Sequence, residues 1–236
     1  MRKQSVLAIS VCAALVAAAC VSTQVNPAAY STKTAAVVMA RAPVSLFGGD
    51  GVVGLSQSLN NSWGQQVNDR LFDRVQRRLA EALRLKLLSP KKVVRAKSYG
   101  DVLPGKNGNP SFDHGPQGLR ATPGLSDDER VHWAAVGRDL NVDAVVLLDA
   151  SFTLQDGDTF TPEHGEVSLR VDMLAADGTL LFRHVGIGKA EPKHDVASAG
   201  KSILFGAMDE KVVKDAYERA MLSAVDDVIS EWRRNR

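Results

Sequence analysis

Only two cysteines occur in the 236 residues, Cys12 and Cys20, and both lie within the first twenty. From Val21 onward the chain offers no disulfide, no thiolate metal site and no cysteine nucleophile. A dominant charge is lacking too. Twenty-nine Lys and Arg stand against 27 Asp and Glu, and loss of Arg2 and Lys3 with a cleaved leader leaves the two signs in balance. A neutral body gives no global electrostatic argument for nucleic acid. Past residue 20 no apolar run approaches the ~20 residues that a membrane-spanning helix needs. Catalytic patterns are missing as well: there is no G-x-S-x-G, no H-E-x-x-H and no carboxylate pair that stands out from the background. The histidines, His114, His132, His164, His184 and His194, are scattered along the chain.

What the chain does have begins at its amino terminus. Arg2 and Lys3 form a positive region, and Val6 to Ala19 is an apolar stretch too short to span a bilayer comfortably, which reads as a secretory signal. It ends in "VAAAC", which resembles a bacterial lipobox, with Ala18 and Ala19 before Cys20 and Ala17 where that pattern prefers Leu. The resemblance implies a leader over 1–19 and Cys20 as the acylated first residue of the mature protein. That covalent lipid on Cys20 is the only prosthetic group expected. Each buried methylene contributes about 0.8 kcal/mol, so several acyl chains anchor stably. Val21, rather than Asp, then implies sorting to the outer membrane, with the chain on its periplasmic face. The plain alternative is an A-x-A cleavage site with Cys20 incidental. Residues 20–33 read as a lipidated terminus and short tether, and 21–33 reach at most ~45 Å when extended.

The remainder, 34–236, reads as one α/β domain. A first strand covers about Thr34 to Arg41. A long helix is expected from Gln65 to Leu88, because Val67, Leu71, Val75, Leu79 and Leu83 recur at i, i+4, and Pro90 stops it. "KKVVRA" (91–96) reads as a short second strand. Ser126 and Glu129 form a capping box for a helix that ends near Leu140. A third strand follows from about Asp143, with Val146, Leu148, Ala150 and Phe152 on one face and Asp149, Ser151 and Thr153 on the other. "VSLRVDMLAADGTLLFRH" is a hairpin turning at Asp177-Gly178, its register setting Met173 opposite Phe182 and Asp172 opposite Arg183. The preceding antiparallel pair sets Arg170 opposite Asp149, and both charge pairs read as decoration of a sheet face. A last helix runs from Asp209 to Trp232. The order predicts an α/β fold with a mixed, mostly antiparallel sheet flanked by helices. Two long loops, 42–64 and 100–124, interrupt it. The second holds six glycines and four prolines, and loops of that length are often functional.

Some segments imitate motifs. Gly49, Gly51 and Gly54 give a G-x-G-x-x-G spacing, but the next predicted strand is followed by Lys97 rather than an acid for a ribose, and the packing helix begins too late. "AGKS" (199–202) has Asp195 where a phosphate-binding loop needs glycine. His164 with Glu166, or Asp156 with Asp158, supplies at most two ligands, so no metal is expected. His184 falls on the core face of its strand and reads as structural. The densest basic segment runs from Arg70 to Lys97, opposed there only by Asp73 and Glu81. Arg70, Arg74, Arg77 and Arg78 on the first long helix are candidates for contact with an acidic partner or anionic headgroups. The competing reading is a solvated face with an Asp73–Arg77 pair.

"WAAVGRDLNVDAVVLLDASFTL" (133–154), a helix closing in A-x-x-G-R-x-L before a V-D-A-V-V strand, resembles periplasmic lipoproteins of the curli-secretion-channel and penicillin-binding-protein-activator group. "VSLRVDMLAADGTLLFRH" is similar to that group's next hairpin. The resemblance covers about 34–41 and 65–232 with gaps. It implies an anticodon-binding-domain-like sandwich used for protein contacts. No functional residue transfers, because the tether is short and the long loops lack alternating apolar strands of membrane length. The expectation is an outer-membrane-anchored, non-catalytic interaction or assembly module of the cell envelope. It would partner the membrane and an envelope protein, with contacts at Gly49, Gly51 and Gly54, at loop 100–124 and at the arginine face. One alternative is an oligomeric subunit of a secretion or transport assembly, a homo-oligomer. Another is a ligand-binding protein or hydrolase with its site in loop 100–124.

Overall fold

The computed structural model describes residues 23–41, 57–101, 127–155, 164–190 and 210–236. Cys20, the three loop glycines, nearly all of 100–124 and the Ser126 cap lie outside them. Six strands, β1 (Gln24–Val25), β2 (Thr34–Arg41), β3 (Lys86–Leu87), β4 (Ala144–Gln155), β5 (His164–Ala175) and β6 (Leu180–Ala190), form one mixed sheet in the order β1-β6-β5-β4-β2-β3. Five helices accompany it: α1 (Gln57–Leu83), α2 (Pro90–Val93), α3 (Lys97–Asp101), α4 (Asp127–Asp139) and α5 (Glu210–Arg234). The expected α/β class is what is found.

β4, β5 and β6 make the antiparallel heart of the sheet. Met173 faces Phe182, Asp172 faces Arg183 and Asp149 faces Arg170, in the register expected from the sequence. The turn is closed by Asp177, whose carboxylate accepts from the Thr179 amide at 2.8 Å, and by Gly178 at φ 90°. β4 is buried on both faces from Ala144 to Leu148, then alternates, with Ala150 buried and Ser151 exposed. Its continuous apolar run ends where the cover on one face ends.

α5 covers the other face through Ala216, Ala220, Ala224, Val228 and Trp232, all buried. It sits very close. A Cβ placed on Gly188 would lie 1.9 Å from the Ala220 carbonyl oxygen, and one on Gly186 would lie 2.2 Å from that of Ala224. Glycines on the strand and alanines on the helix together permit the approach. On the opposite face α4 crosses β4 at Gly137, where a Cβ would be 3.2 Å from Val145 Cγ2. Trp133 and Val136 are fully buried there.

Three segments differ from the sequence-based expectation. The long helix starts at Gln57 and ends at Leu83, not 65–88. Arg84 takes φ 58°, and Leu85 N–H returns to the Ala80 carbonyl at 2.9 Å, an α-left ending built without the glycine that usually announces it. The second strand is Lys86–Leu87, parallel to β2, while "KKVV" lies in or beside helix α2, because Pro90 occupies a first-turn position and starts a helix instead of only stopping one. Residues 23–33, expected as tether, are largely built into the body. Gln24 and Val25 pair with Arg183 and Phe182, and Pro27–Ser31 form a 3-10 turn capped by Asn26. Two strand residues beside a turn carry too little pattern to stand out from a polar linker.

Candidate functional site

Two regions gather polar groups. The first lies on the sheet face that α4 leaves half covered. Asp172 is fully buried yet accepts from both Arg170 (Nη2 at 2.7 Å) and Arg183 (Nε at 2.8 Å, Nη2 at 2.7 Å). The Arg183 guanidinium is held above its ordinary pKa, chiefly by that hydrogen-bonded carboxylate. The expectation of surface decoration is corrected: two arginines close over one acid, as a buried charge requires. Beyond it the face opens through Asp149, Ser151 and Ser168 to Ile187, which is 43% exposed.

The second region is the end of the body where the chain enters. Thr23 Oγ1 lies 2.9 Å from His184 Nδ1, and the other ring nitrogen, buried without a hydrogen-bond partner, faces Asp227 at 3.6 Å. Asp227 also accepts the Ile187 amide at 3.1 Å, closing an edge group of β6. Glu231 is held below the usual carboxylate range, first by the Asn235 side chain and then with help from Thr23. Tyr30 packs against Trp232 with the rings tilted at 59° and their centroids 4.8 Å apart, and it donates to the Asn235 carbonyl, while Phe182 meets Trp232 edge-on at 5.2 Å. A hydroxyl, an imidazole and a carboxylate in sequence is the order of a nucleophilic relay. In this place Thr23 joins the entering chain to β6, Asp227 joins β6 to α5, and neither lines the groove nearby. That groove, about 350 Å³, runs between α1 and α5 and is lined by Arg78, Glu81, Asp226, Ile229, Ser230 and Arg233.

The four candidate arginines of α1 part company. Arg74 bonds Glu218 at 3.1 Å and Arg78 bonds Asp226 at 2.8 Å, so these two lace α1 to α5. Arg77 donates to the Asp73 backbone carbonyl at 3.1 Å, and both Arg70 and Arg77 are exposed. Gly49, Gly51, Gly54 and Cys20 lie outside the described residues. Glu166 pairs with Lys189 at 3.0 Å, and among the described residues no three His, Cys, Asp or Glu converge as metal ligands. His184 sits on the core face, as its strand position indicates. Its partners, Thr23 and Asp227, come from segments 43 or more positions away and leave no local signal.

No family model matches the chain, and no curated protein matches it. Among solved structures it is similar to lipoprotein GNA1162 of Neisseria meningitidis, at 12% identity and TM-score 0.39, covering 84% of this chain and 99% of that one. It is similar to the hypothetical protein CT253 of Chlamydia trachomatis at 10% identity and TM-score 0.38, covering 85% and 95%. The LpoB C-terminal domain of Salmonella enterica follows at 14% identity and TM-score 0.32, covering 68% and 83%. At these values the likenesses decide neither family nor function.

Proposed function

We propose that this chain is a lipid-anchored, non-catalytic interaction module of the bacterial cell envelope, held at the periplasmic face of the outer membrane by Cys20. The observation that carries this reading is the docking of Thr23, Gln24 and Val25 on β6 and α5, three to five residues after the lipobox cysteine. A chain folded so soon after its attachment point is held at the surface, within ~11 Å of the anchor at ~3.5 Å per residue. Among the described residues no helix is long and apolar enough to cross a membrane. The half-open sheet face, with Asp149, Ser151, Ser168 and the exposed Ile187, supplies hydrogen-bonding groups around an apolar contact, as a protein partner requires.

Cells fed labelled palmitate should incorporate it into the wild-type protein and not into Cys20→Ser. Absence of label, or label that survives the exchange, overturns the anchoring. Crosslinking in intact envelopes at Ile187 should capture a protein partner. Failure to capture any, with the protein in place, overturns the interaction role.

A further inference from the structure

The strands fix which end of the body lies beside the point where the chain enters, and the carboxyl end of α5 brings arginines there. β2, β4 and β6 all start at the end where the chain enters, and α5 runs down β6 to finish there. Its last two residues are Arg233 and Arg234, and Arg236 follows just past it, all exposed. Arg234 pairs with Glu231 at 2.5 Å, and the Arg236 charge acts on Tyr30. Complementing one helix carboxyl end accounts for one or two cations. It does not account for three beside the entry point.

We infer that the end of α5 and the residues just past it, through Arg233, Arg234 and Arg236, bind the anionic headgroups of the bilayer to which the chain is anchored. The occupant follows from the length of chain and from charge. Only Val21 and Ser22 separate Cys20 from Thr23, whose hydroxyl lies 2.9 Å from His184 of β6, and that ring faces Asp227 of α5. A lipid on Cys20 must therefore enter the bilayer within ~11 Å of Thr23. The arginines lie within about two helical turns of that point, or ~11 Å. Positive side chains so close to a membrane are drawn to anionic lipid over about one Debye length, ~8–10 Å at ordinary salt. The body then stands upright, its half-open sheet face directed sideways for a partner. This inference rests on the proposed anchoring.

The test uses the full protein purified from envelopes, with the mass of its amino-terminal peptide recording whether Cys20 carries lipid. With Cys20 capped, single thiols Ser230→Cys (basic end) and Ser151→Cys (~23 Å up β4, at ~3.3 Å per residue) each take a fluorophore. Energy transfer to a headgroup dye is then read on phosphatidylcholine vesicles with and without phosphatidylglycerol. On anionic vesicles transfer from position 230 should exceed that from 151. The difference should shrink in 0.5 M salt and in Arg233→Gln/Arg234→Gln/Arg236→Gln. Salt screening tests the contact whether or not that variant folds. Equal transfer from the two positions, or a difference indifferent to lipid charge, overturns the inference. If Cys20 proves unacylated the anchoring fails, and flotation of the same chain decides the arginine contact alone. About one to two orders of magnitude tighter partition to anionic vesicles is expected from three basic residues, and equal partition overturns it.

Discussion

At the scale of single residues, Asp172 is the most constrained group on the sheet. Its two oxygens accept from Arg170 and Arg183 in a site where the acid has no exposure. Removing one member of a buried charge cluster leaves the others desolvated without compensation. Asp172→Asn should therefore lower the unfolding free energy by about 3–5 kcal/mol, read from urea denaturation. A loss under about 1 kcal/mol would mean the arginines find water as readily as they find the acid. The pairing of Asp172 with Arg183 was legible, because alternation and the Asp-Gly turn set the register. That Arg170 folds onto its own strand neighbour two positions along was not, since register places residues opposite one another and says nothing of where a long side chain reaches.

At the scale of elements, the contact of α5 with β6 depends on what is missing from two positions. Gly188→Ala would set a carbon 1.9 Å from a helix carbonyl, and a helix backbone cannot rotate aside as a side chain can. A destabilisation of at least ~1–3 kcal/mol is expected, or roughly 2–12 °C in melting temperature. Gly137→Ala should cost less: its nearest neighbour is a valine methyl at 3.2 Å, and alanine favours the helix interior. Equal losses from the two variants, measured by thermal denaturation, would refute the account. The elements with a repeating pattern, β4, the β5–β6 hairpin and α5, were readable because each buries a face whose period appears in the chain. Where a single residue decides, as with Arg84 at positive φ or Pro90 at a helix start, the sequence pattern pointed elsewhere. Of the site, the arginines of α1 were visible as charge, but their crossing to Glu218 and Asp226 on α5 depends on helix placement that no local spacing records.

At the scale of the whole molecule, exposed carboxylates join distant segments. Asp143 accepts from the Lys33 amide at 2.9 Å and from the Thr34 amide at 2.8 Å, and Asp139 accepts from the Ser98 hydroxyl at 2.6 Å and its amide at 2.8 Å. These bonds hold both acids below the usual carboxylate range: for Asp143 chiefly the Lys33 amide, for Asp139 chiefly the Ser98 hydroxyl. A depressed folded-state pKa contributes stability that is present above the ordinary carboxylate value of about 4 and is lost as pH falls through the folded value. The melting temperature should fall between about pH 5 and pH 2. Asp143→Asn should lower it at neutral pH and flatten that acid slope. An unchanged slope would show that other groups set the acid limit.

The pairing of Gln24 and Val25 with Arg183 and Phe182 has a consequence in time. The strand made first has nothing to lie against until the hairpin made some 160 residues later exists. Until then Gln24 and Val25 have no sheet edge to pair with. Only completion of the far end draws them in.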